Sequence, residues 1–74
     1  MIYHNIRSLR EDSDWTQQYV ADYLGVNRRT YSAYETGTNS MTPEILIQLA
    51  ELYHTSVDYL LGLTNVREPY SKTR

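Results

Sequence analysis

Residues 16–37, TQQYVADYLGVNRRTYSAYETG, decide the fold of this chain. Two apolar-periodic segments, Val20, Ala21 and Leu24, then Thr30, Tyr31 and Tyr34, flank a single glycine, Gly25. A glycine there allows the positive φ through which two short helices cross steeply. Thr16 precedes the first helix and Asn27 the second, and each has a side-chain oxygen suited to an orphaned backbone N–H. Gly37 follows the last periodic residue and closes the second helix.

At about 100° per residue from Arg28, the residues Arg28, Ser32, Thr36, Arg29 and Ala33 fall within an arc of roughly 140°. Asn27, Thr30, Tyr31 and Tyr34 take the other side, where they are expected to pack against the rest of the domain. The outward arc thus carries two arginines, two hydroxyls and one methyl, and no carboxylate. Such a surface suits close approach to a polyanion. Arginine bonds guanine O6 and N7 bidentately, and an alanine methyl suits the thymine methyl, so double-stranded DNA is the expected partner. Two adjacent arginines alone would favour an ordinary solvated helix face; the turn, the cap and the small neighbours shift the reading to DNA contact.

Gln17, Ala21, Leu24-Gly25-Val26, Thr30, Tyr34-Glu35 and Gly37 together resemble the Cro/repressor-type helix-turn-helix family, the phage-repressor and XRE-like regulators. The resemblance extends over roughly residues 3–63, with Arg7 and Arg10 on a preceding helix and SVDYLLGL at 56–63 as a short closing helix. It implies an all-α, lambda-repressor-like fold: a compact bundle of five short helices, the second and third forming the helix-turn-helix. In that family an arginine of the first helix pairs with the glutamate ending the recognition helix, and both members are present as Arg10 and Glu35. Two separate surface charges are the alternative. The family also uses the glutamine at the start of the second helix, here Gln17, to bond a DNA phosphate and brace the first base-contacting residue; the alternative is a solvent-exposed side chain without a partner.

Seventy-four residues suit one small domain with little burial in reserve. Residues 1–65 are expected to form it, and 66–74 a polar, mobile tail carrying Pro69. With no cysteine, neither a disulfide nor a thiolate zinc site can staple the fold. His4 and His54 are too far apart in the sequence to suggest a metal set, and no cofactor is implied. No apolar run reaches the ~20 residues of a membrane span, and Met1-Ile2-Tyr3-His4 does not open a signal peptide. The expected location is the cytoplasm.

The aromatic inventory is eight Tyr, one Trp and no Phe. Tyrosines interleaved with arginine could make a stacking platform for single strands. Helical spacing of Tyr19, Tyr23, Tyr31, Tyr34, Tyr53 and Tyr59 instead favours the core or its edge. Trp15, just before the second helix, is read as a core anchor.

A formal charge of −2 runs against the basic balance usual for DNA binders. Distribution matters more than the sum. Glu44, Glu51 and Asp58 lie in later helices, away from the proposed DNA face, while Asp22 and Glu35 are closer. The loop Thr38-Asn39-Ser40-Met41 is neutral where relatives carry lysine or arginine. Its hydroxyl, amide and backbone N–H groups, Thr38 and Asn39 foremost, remain candidate phosphate contacts, but they imply a shallow salt dependence.

The first helix is expected over Tyr3 to Asp12, with Ile2, Ile6 and Leu9 as its apolar stripe. Thr42 and Pro43 open the fourth helix, whose face of Ile45, Leu46, Leu49, Ala50, Leu52 and Tyr53 closes the core. His54 stands at its left-handed C-terminus, where relatives have glycine. Ser56 caps the fifth helix, Leu60 and Leu61 pack inward, and Gly62 ends it. Tyr59, Leu63, Val66 and Tyr70 could form an apolar edge for self-association.

The expected function is a sequence-specific DNA-binding transcriptional regulator, a repressor, acting as a weak homodimer or a dimer formed on a palindromic operator. An antitoxin or other protein-interaction module on the same fold is the alternative. An enzyme is disfavoured, since neither a thiol nor a glycine-rich phosphate loop nor a metal motif is present.

Overall fold

The chain runs through five helices, α1 His4–Asp12, α2 Gln17–Leu24, α3 Arg28–Thr36, α4 Pro43–Tyr53 and α5 Val57–Leu60, in a computed structural model that describes residues 3–68. No strand occurs among the described residues, and the expected all-α bundle of five short helices is the observed architecture. Ile2 of the first-helix stripe, Tyr70 of the apolar edge and positions 69–74 of the tail lie outside the described residues.

Four helices start under a side-chain cap three residues ahead of the bonded amide. Thr16 accepts from the Tyr19 N–H at 3.0 Å, Asn27 from Thr30 at 2.8 Å, Thr42 from Ile45 at 3.2 Å and Ser56 from Tyr59 at 3.0 Å. Each such cap contributes about 1 kcal/mol. The first helix has no side-chain cap and begins one residue later than expected; instead the Tyr3 N–H donates to the Glu35 carbonyl at 2.9 Å, tying its start to the end of α3.

Three helices stop in the same way. Gly25 and Gly37 take φ of 76° and 78°, and His54 takes 55°. The amide one residue beyond each then reaches back to close the last turn: Val26 to Ala21, Thr38 to Ala33 and Thr55 to Ala50. A left-handed histidine is strained relative to glycine, and the closing bond from Thr55 offsets part of that cost.

Ile6 and Leu9 of α1, Val20, Ala21 and Leu24 of α2, Tyr31 and Tyr34 of α3, Ile45 and Leu49 of α4 and Leu60 of α5 form one buried cluster. The helices α2 and α3 pack most extensively on each other, as do α4 and α5. The Asn5 side-chain amide donates to the Tyr59 carbonyl at 2.7 Å and joins α1 to α5. Leu61 is only half-buried.

The tyrosines divide. Tyr31 and Tyr34 are buried and Tyr53 and Tyr59 half-buried, but Tyr19 is 52% exposed and Tyr23 47%. The reason is rotational: Val20, Ala21 and Leu24 occupy the inward side of α2, which leaves positions 19 and 23 on its outer flank. Trp15 covers Tyr19, with ring centroids 4.9 Å apart, and bridges to Tyr53 at 5.8 Å. Arg67, placed at the sequence level in a free tail, bonds Thr55 through its carbonyl and Asp12 through its guanidinium at 3.3 Å. No helix among the described residues is long and apolar enough to cross a membrane.

Candidate nucleic-acid interface

The outward surface of α3 follows from where its cap and its apolar residues put it. Tyr31 and Tyr34 face the core, so Arg28, Arg29 and Thr36 are exposed, with Ser32 and Ala33 half-buried between them. Asn27 is exposed as well, not packed inward; its oxygen holds the cap while its NH2 remains at the surface. Thr36 does not project a free hydroxyl, since its Oγ1 lies 3.3 Å from the Ser32 and Ala33 carbonyls and 3.0 Å from Thr38 Oγ1.

Arg28 and Arg29 differ from every other described cation. Arg7 pairs with Glu11 at 3.1 Å, Arg10 with Glu35 at 2.6 Å and Arg67 with Asp12 at 3.3 Å. Among the described residues, the two guanidinium groups at the start of α3 are the arginines without a carboxylate partner. Among the described residues, the arginine charge without a carboxylate partner therefore lies at one helix end.

Thr38 and Asn39 are exposed beside that surface. Their backbone N–H groups, however, both donate to the Ala33 carbonyl, at 2.9 and 3.2 Å. The loop offers side-chain groups to a phosphate but not these two amides, which corrects the sequence-level expectation: the turn that ends α3 consumes them. Thr16 Oγ1 accepts its capping bond and retains its own O–H as a donor.

Behind the interface lies a buried polar cluster. Glu35 is only 3% exposed. Arg10 reaches both its oxygens, Nε to Oε2 at 2.6 Å and Nη2 to Oε1 at 3.3 Å, and donates from Nη1 to the Trp15 carbonyl at 3.0 Å. Gln17 Nε2 donates to Glu35 Oε1 at 3.2 Å. The Tyr31 and Tyr53 hydroxyls are buried beside this carboxylate with no partner in hydrogen-bond geometry. Tyr31 nonetheless stands close enough to favour the charged form of Glu35.

The charges follow from these neighbours. Burial alone would raise the Glu35 carboxyl, but Arg10, Tyr31 and Gln17 together outweigh it and hold it below the ordinary carboxylate value. The same Glu35 contact raises Arg10 against the opposing effect of burial. Burial, then Glu35, drives Tyr31 far above an ordinary phenol. Tyr53 is pushed up to about 12, again by burial first. Sequence reasoning missed the two hydroxyls. Tyr31 and Glu35 stand four apart on one helix, a spacing that places them side by side; nothing local signals Tyr53.

No group of three or more His, Asp or Glu among the described residues could hold a metal ion.

Comparison with known proteins supplies names for this arrangement. The HTH-type transcriptional regulator AnsR of Bacillus subtilis is 42% identical over 57 residues, covering 77% of this chain and 49% of AnsR. The cryptic phage CTXphi transcriptional repressor RstR of Vibrio cholerae is 39% identical over 70 residues, covering 92% of this chain and 63% of RstR. The antitoxin PezA of Streptococcus pneumoniae is 33% identical over 69 residues, covering 93% of this chain and 44% of PezA. The chain thus spans about half the length of the curated relatives it matches. No solved structure gives a significant match. With the helix-turn-helix profile matching residues 6–60, from the first turn of α1 to the end of α5, the chain belongs to the helix-turn-helix family.

Proposed function

We propose that this chain is a sequence-specific, double-stranded-DNA-binding transcriptional regulator, a repressor, that inserts α3 into the major groove. The observation that carries the reading is the pair of unneutralised arginines, Arg28 and Arg29, exposed at the start of an acid-free helix face. Arg28, Arg29, Ser32 and Ala33 would meet base edges, with Asn27 and Thr36 at the rim of the groove. Thr16 and Gln17 at the start of α2, and Thr38 and Asn39 after α3, would meet phosphates. The names of AnsR and RstR, a regulator and a repressor, support the same class. The function is binding, not catalysis, and its place is the cytoplasm.

Pairing of two copies would set two recognition helices about one DNA turn apart, roughly 34–36 Å, and so read a palindromic operator. Leu63 and Val66, 72% and 54% exposed, support an apolar edge for that homodimer beside α5. Repression would then follow from occupying an operator that overlaps a promoter.

Selection of bound duplexes from a random-sequence pool tests this reading. A palindromic consensus whose half-sites lie one helical turn apart is the expected result; no enrichment over the starting pool would refute sequence-specific binding. Likeness to PezA keeps an antitoxin role as the second reading. Under it, a small protein partner would co-purify and the biological effect would survive loss of Arg28 and Arg29.

A further inference from the structure

Gln17 is an interface residue whose polar head is held by a buried carboxylate. Its Nε2 donates to Glu35 Oε1 at 3.2 Å, and Glu35 is itself held at both oxygens by Arg10. Arg10 is fixed in turn by the Trp15 carbonyl. The carboxylate is therefore a rigid anchor. We propose that Glu35 is a positioning residue for DNA binding, which fixes the direction of the Gln17 carboxamide so that it presents a donor to phosphate. This rests on the DNA-binding reading above.

Hydrogen-bond polarity fixes the direction of the amide. An ionised carboxylate accepts only, so of the two ends of the Gln17 amide only the NH2 can face it. A flipped amide would set its carbonyl oxygen against Glu35. With the flip excluded, one N–H is held by Glu35 and the second N–H of the same nitrogen remains for an acceptor outside. A phosphate oxygen is such an acceptor. An unanchored glutamine would have to turn its NH2 to the phosphate on binding, and would lose then the rotamer freedom that the anchored side chain has already lost on folding. Gln17 is also the first residue of α2, whose free N–H groups and helix dipole favour the same anion. Glu35 touches no DNA on this view; it acts through Gln17.

A double-mutant cycle tests the coupling, using a mixed-sequence duplex of about 30 base pairs at low salt, since a phosphate contact is independent of sequence. Glu35→Gln is expected to weaken binding about 3- to 10-fold in the parent and less than about 2-fold when Gln17 is already alanine. Equal weakening in both backgrounds would mean a general structural effect and overturn the positioning role. Unchanged binding by Gln17→Ala alone would instead overturn the Gln17 contact, and with it this inference. Should Glu35→Gln fail to fold, nitrogen-15 relaxation of the Gln17 side-chain NH2 in the free parent protein decides. A clamped amide relaxes like the helix backbone, whereas a freely averaging one removes the proposal.

Discussion

Arg10 Nε lies 2.6 Å from Glu35 Oε2, a contact that joins α1 to the last turn of α3 beneath the candidate DNA surface. Only 4% of the Glu35 side chain and 13% of the Arg10 side chain are exposed, so both charges have left most of their water. A pair so placed holds two helices in register, yet it contributes less net stability than its short distance suggests, because desolvation opposes the attraction.

Removing one partner exposes that asymmetry. Arg10→Met leaves Glu35 buried without its cation and is expected to destabilise the fold by about 3–5 kcal/mol in urea unfolding. Replacing both, with Met at 10 and Leu at 35, should recover most of the loss. A double variant as unstable as the single one would show that the pair is worth more than its desolvation.

Stability should fall at both ends of the pH scale. Glu35 has a lowered folded-state value, so its contribution is complete above the ordinary carboxylate value of 4.5 and is lost as pH falls through the lower folded value. Tyr53 is raised from 10.0 to about 12, so the unfolded chain ionises first and stability drops as pH rises between those two values. Thermal melts across pH, repeated on Tyr53→Phe, check the alkaline limb; it should become shallower in the variant.

Two helix caps of similar strength separate folding from binding. Asn27→Ala and Thr42→Ala should each cost about 1 kcal/mol of stability, since each deletes one capping bond. Asn27 directly precedes Arg28, whereas Thr42 is not among the residues assigned to the DNA face. Only the Asn27 variant should also lose DNA affinity in a titration against the selected duplex.

The arginines make separable predictions. Arg28→Ala or Arg29→Ala should cost about 1–3 kcal/mol at a selected operator if the residue reads a base edge. An arginine that neutralises a phosphate instead would, on removal, reduce the log–log salt slope by about 0.9, so the slope separates the two contacts. Binding isotherms at several salt concentrations give both quantities. Parent-like affinity in the double variant would end the assignment of α3 as the reading helix.

Leu63 is 72% exposed, so Leu63→Glu should leave the melting temperature unchanged. If the edge beside α5 pairs two copies, the same change should shift sedimentation equilibrium toward monomer.

The helix boundaries were readable because their causes are local. Thr16, Asn27, Thr42 and Ser56 each bond an amide three residues on, and Gly25 and Gly37 relieve a backbone angle at their own positions. Such interactions close within one turn and need no distant partner. The outward placement of Arg28 and Arg29 followed from the same helical period. Tyr19 and Tyr23 were harder, because tyrosine suits core and surface alike and a few degrees of helix rotation decide between them.

Local chemistry in the chain was thus enough to establish five helices, a steep turn at Gly25 and an acid-free ridge on α3. Packing determined that Glu35 is buried and that Arg10, Gln17, Tyr31 and Tyr53 surround it from four helices. The difference is physical. A cap or a glycine turn is favourable wherever its few residues occur, whereas a carboxylate tolerates burial only if donors from remote segments converge on it, and that convergence exists only once the helices have met.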